Sequence, residues 1–172
     1  MTGDSFKELP GGGIDLLHDH FKVPHTSGHG HGLTANEQDQ ILGLSPAVKE
    51  MVQRHNLYYH VKETNYDRAD HVVVGLHIED TIYGELYFDY GGDGQPGIRR
   101  IDWDRIEDAI LKYGPDTVLV LVKANPDVIR RRIKDDPHIN QVILEKDIEL
   151  ILSKFQEGFN RSRILNKLVL DT

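Results

Sequence analysis

Thr117-Val-Leu-Val-Leu-Val-Lys-Ala-Asn-Pro-Asp-Val-Ile-Arg-Arg-Arg-Ile133 is the stretch that decides the fold. Its first part, Thr117 to Val122, is apolar at every position after the threonine, the pattern of a strand buried on both faces inside a parallel sheet. Asn125-Pro126 then supplies an N-cap and a first-turn proline. A helix carrying Val128, Ile129, Arg130, Arg131, Arg132 and Ile133 should therefore follow the strand directly.

Working outward, His71-Val-Val-Val-Gly-Leu-His-Ile78 repeats the buried-strand pattern. Between the two runs, Asp80 to Tyr90 reads as helical, Gly91 to Gly97 as a glycine-rich loop, and Trp103 to Tyr113 as a helix closed by Gly114-Pro115. Downstream, Asp135-Asp-Pro-His138 interrupts the arginine helix. Glu145 to Phe159 then places Ile148, Ile151, Leu152, Phe155 and Phe159 on one helical stripe, and Lys167 to Leu170 reads as a last strand. Upstream, Ile14 to Val23 alternates as a strand, with Leu17, Asp19, Phe21 and Val23 on one face, and Pro24 to Gly32 is a loop. Thr34-Ala-Asn-Glu37 has capping-box spacing for a helix that stops at Gly43, and Ser45-Pro46 opens another that runs to about His60.

This order implies an α/β fold, a parallel sheet with helices on both faces and right-handed crossovers. Ligands in such sheets bind beyond the carboxyl ends of the strands, here after Phe21, Leu76, Val122 and Leu170.

Composition narrows the class. The chain has 172 residues, and 20 basic against 28 acidic residues give a net charge of −8, which disfavours a nucleic acid polymer or an anionic membrane as partner. Hydrophobic residues at 38% suffice for one core, so a disordered chain is excluded. No cysteine is present, which removes disulfides, thiolate metal ligands and thiol nucleophiles. No apolar run approaches the ~20 residues of a bilayer span, and the first residues lack a signal peptide's apolar stretch. A cytoplasmic location is the expectation.

Candidate chemistry gathers at the strand ends. His18, Asp19 and His20, with His25, His29 and His31, could ligate a metal, or form a solvated histidine-rich loop, since the spacing matches no metal signature. Asp19 shares a face with apolar residues, where its pKa would rise toward that of a general base; at an open strand end it would instead be simply hydrated. Glu79 and Asp80 could orient a substrate hydroxyl or magnesium, or merely favour a helix amino end. Arg130, Arg131 and Arg132 could clamp phosphate, or pair with Asp127, Asp135 and Asp136 on a solvated face. Successive helical residues diverge by about 100°, so at most two of the three arginines meet one ligand.

The segment from Thr117 to Ile133, followed by the Glu145 to Phe159 helix and the last strand, resembles the strand-to-lid end of P-loop nucleoside and nucleotide kinases, the deoxynucleoside and thymidylate kinase group. The resemblance implies a three-layer sandwich and an ATP- and magnesium-dependent phosphotransferase acting on a nucleoside, nucleotide or other small hydroxyl substrate. It implies that Asp19 orients or deprotonates the acceptor, that Glu79, Asp80 and Tyr83 bind substrate, and that Arg130, Arg131 and Arg132 close on the phosphates. A homodimer is the assembly considered. The chain departs from the family in one decisive respect: it contains no Gly-Lys dipeptide and hence no Gly-x-x-x-x-Gly-Lys-Ser/Thr loop. Gly91 to Gly97 has no following lysine and links no strand to a helix. In the family that loop follows the first, central strand. The expectation is therefore either a fragment that lacks this strand or a degenerate relative that no longer binds ATP in the usual way, the fragment being favoured, and in both cases little kinase activity from this chain alone. Two alternatives stand beside it, a metal-binding protein using the His18 to His31 cluster and a catalytically inert binding domain.

Overall fold

The computed structural model describes residues 15–17, 34–66, 71–137 and 142–172. In chain order the elements are β1 (Asp15–Leu17), α1 (Ala35–Leu42), α2 (Pro46–His60), α3 (Glu63–Tyr66), β2 (His71–Val73), α4 (His77–Tyr87), α5 (Arg99–Tyr113), β3 (Val118–Lys123), α6 (Pro126–Asp135), a 3-10 turn (Glu145–Asp147), α7 (Ile148–Arg161) and β4 (Asn166–Asp171).

The architecture is mixed α/β with parallel strands. They form two separate pairs: β1 runs beside β2 with Asp15 opposite His71, and β3 runs beside β4 with Val118 opposite Asn166 and Lys123 opposite Asp171.

Local chemistry starts the helices. At α1 the capping box is complete: the Thr34 N–H donates to Glu37 Oε2 at 2.7 Å, and the Glu37 N–H donates to Thr34 Oγ1 at 3.3 Å. At α6 the Asp127 N–H donates to Asn125 Oδ1 at 2.9 Å, and Pro126 takes the first turn, where its missing N–H is harmless. Ser45 has the extended backbone of a cap before α2 but makes no side-chain cap bond.

The core is centred on α5. Ile106 and Ile110 pack with Leu57, Val61 and Ile164, while Trp103 packs with Ile78 and Ile82; Leu119 of β3 touches both groups. Gly158 of α7 allows the close approach of α4 and α5, because a Cβ there would meet Ile78 Cγ2 at 2.8 Å and Trp103 Cη2 at 3.1 Å.

Three expectations are corrected. The strand expected over His71 to Ile78 ends at Val73, and His77 and Ile78 already belong to α4. The chain turns at Gly75 and Leu76, with φ of +87° and +68°, and the Asp80 N–H then donates to the Leu76 carbonyl to begin the helix. The next helix starts at Arg99 rather than Trp103, because the amides of Ile101 and Asp102 already donate to the Ile98 carbonyl. Burial on both faces also fails for β3. Leu119 and Leu121 are half-buried toward the helices, whereas Val118, Val120 and Val122 are exposed. Lys167 of β4, paired with Leu119 and so on its face, donates to the carbonyls of Phe159 and Ser162 at the end of α7. Helix cover on that face thus fixes which side chains are hidden.

Ile106 is fully buried where α5 meets the first cluster. Ile106→Ala should lower unfolding free energy by about 2–5 kcal/mol, read from urea denaturation, through lost burial plus the cavity left behind.

Candidate functional site

Arg99, the first residue of α5, is 1% exposed and every nitrogen of its guanidinium has a partner. Its Nε donates to Asp80 Oδ2. Its Nη1 donates to Glu50 Oε1 at 2.8 Å and to Asp102 Oδ2 at 3.2 Å, and its Nη2 donates to the Glu50 carbonyl at 3.4 Å. The guanidinium lies over the Tyr90 ring at 4.9 Å. Tyr90 Oη and Gln53 Nε2 donate to Asp80 Oδ1 at 2.7 and 3.2 Å, and Tyr58 Oη donates to Asp102 Oδ1 at 2.8 Å. Arg54 adds a second cation on Glu50 at 2.9 Å.

The electrostatics follow from this arrangement. Burial alone would lower the Arg99 pKa, but the charge of Asp80 and the bonds to Glu50 and Asp80 raise it instead. Burial would raise the Glu50 carboxyl, and its bonds from Arg54 and Arg99 bring it below its ordinary value. Tyr90 is pushed upward by burial and then by the Asp80 charge beside its hydroxyl, so it stays a neutral donor.

The Gly91 to Gly97 loop belongs to this cluster. Gly91, at φ +88°, abuts the Arg99 side chain, where a Cβ would sit 2.5 Å from Cγ. Gly97, at φ +79°, abuts Glu50, where a Cβ would sit 2.6 Å from Cγ. The Gly91 N–H donates to the Pro96 carbonyl at 2.8 Å and closes the loop. These glycines serve close packing of backbone on a buried ion cluster.

A second buried group ties α4 and α5 to the segment after α7. Glu107 Oε1 lies 3.2 Å from His77 Nε2, and its Oε2 accepts from the Arg163 N–H at 2.9 Å. Burial would raise the Glu107 carboxyl, but hydrogen bonds from His77, Ser162 and the Arg163 amide outweigh it and hold the pKa at about 2. The carboxylate accepts only, so His77 Nε2 carries the proton. The His77 ring meets Trp103 in a T-shaped contact with centroids 4.9 Å apart.

The residues singled out in the sequence are placed as follows. Asp19 and the His18 to His31 cluster lie outside the described residues. Glu79 is half-buried in the first turn of α4. Tyr83, one turn on, packs edge-on against Phe155 of α7 with centroids 6.0 Å apart. Asp80 is wholly buried, both oxygens bonded, and presents no face to magnesium, an ion that keeps several waters. Among the described residues no group of three or more His, Asp or Glu side chains is placed to hold a metal ion.

The three arginines diverge. Arg130 turns to acids, with Asp127 at 2.9 Å, Glu145 at 3.8 Å and Glu149 also in contact. Arg131 is exposed, and Arg132 Nη1 donates to Thr172 Oγ1 at 3.2 Å. Thr172 in turn donates from its N–H and its Oγ1 to the Lys123 carbonyl, at 2.9 and 3.1 Å. An exposed guanidinium therefore sits at the adjacent carboxyl ends of β3 and β4.

No family model, curated protein or solved structure matches the chain. Among the described residues no helix is long and apolar enough to cross a membrane.

Arg99, Glu50, Gln53, Tyr90, Glu107 and Arg163 are absent from the sequence-based site. Only the i,i+3 spacing of Arg99 with Asp102 and the i,i+4 spacing of Glu50 with Arg54 were visible, and such spacings are common on solvated helices.

Removing the central cation leaves buried carboxylates unpaired. Arg99→Met should destabilise by about 3–5 kcal/mol, and the Arg99→Met, Asp80→Asn double variant by less than the sum of the single effects, measured by a denaturation cycle. Glu107 supplies a pH signature. Its folded pKa of about 2 lies below its ordinary 4.5, so its stabilisation is complete above 4.5 and is lost as pH falls toward 2. The stability difference between wild type and Glu107→Gln should be largest at neutral pH and shrink between those two values, as followed by urea midpoints across the range.

Proposed function

We propose that this chain is a phosphotransferase-type domain of the P-loop nucleoside and nucleotide kinase kind, whose phosphate-handling side chains are Arg131 and Arg132. The observation that carries the reading is the bond from Arg132 to Thr172, which sets an exposed guanidinium over the carboxyl ends of two parallel strands, where ligands of α/β sheets bind. Arg130, surrounded by three acids, is assigned to docking α6 on α7.

The chemistry asked of the arginines is modest and suited to them. Phosphoryl transfer spreads charge over equatorial oxygens, and planar guanidiniums neutralise it through paired N–H donors. Asp19 is assigned to the acceptor hydroxyl as orienting group or base. Glu79 is assigned to the substrate, with Tyr83 flanking it one turn on, and Asp80 becomes a positioning residue that anchors the first turn of α4 through Arg99. No step is assigned to magnesium.

On the same reading the two strand pairs belong to one parallel sheet. The amino ends of β2 and β3 share one neighbourhood, because Tyr66 packs on His71 at 5.7 Å between ring centroids and also closes on Gly114, three residues before Thr117. Beyond the carboxyl end of β2, Leu76 packs on the same cluster as Leu119 of β3.

Calorimetric titration with ATP and with inorganic tripolyphosphate tests the assignment. Wild type should bind both saturably, and Arg131→Ala with Arg132→Ala should weaken each by about tenfold per guanidinium removed. Absence of saturable binding by the wild-type chain, or equal affinity in the double variant, would refute it.

A further inference from the structure

Strands β3 and β4 meet helices on one side only, where Leu119 packs with Ile78 and Trp103 and Lys167 donates to the end of α7. On the other side Val118, Val120 and Val122 alternate outward, and the parallel register sets Leu168 beside Val120 and Leu170 beside Val122. All five are exposed, from 40% at Leu170 to 61% at Val122. Parallel strands are ordinarily covered on both faces, so this face is an unusual surface to leave to water.

Its carboxyl end is charged. The Thr172 N–H donates to the Lys123 carbonyl at 2.9 Å as the next rung of the ladder, which puts the Thr172 side chain on the side of Leu168 and Leu170. Arg132 Nη1 donates to that side chain's Oγ1 at 3.2 Å. Among the described residues every ion pair of α6 falls on Arg130, so Arg132 and exposed Arg131 beside it carry no acid partner.

We propose that this face holds the aliphatic chain of a phosphate monoester, the phosphate lying on Arg132 and Arg131 and the chain running over Val122, Leu170, Val120 and Leu168 toward Val118. The proposal rests on the phosphate-handling assignment of the two arginines and narrows their ligand to an amphiphile. Guanidinium forks match phosphate oxygens, and they stand at one end of the face only. Between Thr172 and Asn166 the face offers no hydrogen-bonding side chain, so the part of a ligand that lies there is aliphatic rather than sugar or base. The track is two strands wide and about 13 Å long from Val118 to Val122, which an octyl or decyl chain spans. A membrane surface would present the same head group, but the net charge of −8 opposes an anionic bilayer.

Calorimetric titration of the full chain with inorganic tripolyphosphate, butyl phosphate and octyl phosphate, all below the micellar range, tests the inference. Octyl phosphate should bind about tenfold more tightly than butyl phosphate, the gain expected when the added methylenes are partly covered. Val120→Ser with Leu168→Ser should abolish that difference and leave tripolyphosphate affinity unchanged, while Arg132→Ala should weaken all three ligands about tenfold. Val122→Ser alone, at the most exposed of the five positions, should cut the difference to about threefold and decides the matter if the double variant fails to fold. Equal affinity for butyl and octyl phosphate while tripolyphosphate still binds overturns this inference and leaves the arginine assignment in place. Absence of saturable binding of all three by wild type overturns both. Cosedimentation of wild type with phosphatidylcholine vesicles containing phosphatidic acid, lost in Val122→Ser, would give the face to a membrane and overturn the inference as well.

Discussion

A guanidinium withdrawn from water must find partners for all its donors, and Arg99 finds them on three helices at once. Glu50 ties it to α2, Asp80 to α4, and Asp102 lies one turn along its own helix. The Coulomb gain in such a cluster is largely offset by desolvation, so its contribution is better understood as geometry than as net stability. Any shift of α2 or α4 along its axis would leave a buried charge unpaired. That constraint sets the first turn of α4 at the end of β2, which is where Glu79 and the half-buried Tyr83 must be held if they are to meet a ligand.

The sequence is most informative where the determining interaction is local. The Thr34 and Asn125 caps, Pro126, and the apolar stripe of α7 involve residues within a turn or two of one another, and each element forms as the spacing requires. It is least informative where a distant group decides. The end of β2 depends on a positive-φ turn at Gly75 and Leu76, and an apolar run such as Val72-Val73-Val74 gives no warning that Leu76 will leave the strand. The Gly91 to Gly97 loop is glycine-rich like a phosphate cradle but has no following lysine. Its real reason for being glycine-rich, contact with Arg99 and Glu50, needs residues up to 49 positions apart to be seen together. Arg131 and Arg132 stand out in the sequence as adjacent cations, whereas the buried groups that orient Asp80 do not, because a buried ion pair leaves no periodic trace in the sequence.

The arginine run shows how helical geometry divides three identical side chains. Each residue turns by about 100°, and the neighbourhood of α6 is uneven: acids of α6, the 3-10 turn and α7 on one side, the ends of β3 and β4 on another. Arg130 is drawn to the acids, and its charge is neutralised. Arg132 reaches Thr172, whose own bonds run to Lys123, so its position is tied to the strand ends rather than to solvent. Side chains of one type, adjacent in sequence, thus take different partners by direction alone.

The buried cluster also determines what the protein shows on its outer surface. Because Glu50 must meet Arg99 and Gln53 must meet Asp80, α2 has no rotational freedom, and Leu57 follows them inward on the same face. The residues opposite are then committed to the outside whatever their polarity. On most surface helices those positions hold lysine and glutamate; here they hold valine, methionine and tyrosine. Rotating α2 to hide Met51 and Tyr59 would expose Leu57 and strip the ion cluster of Glu50, so among the described residues no orientation of α2 buries both faces.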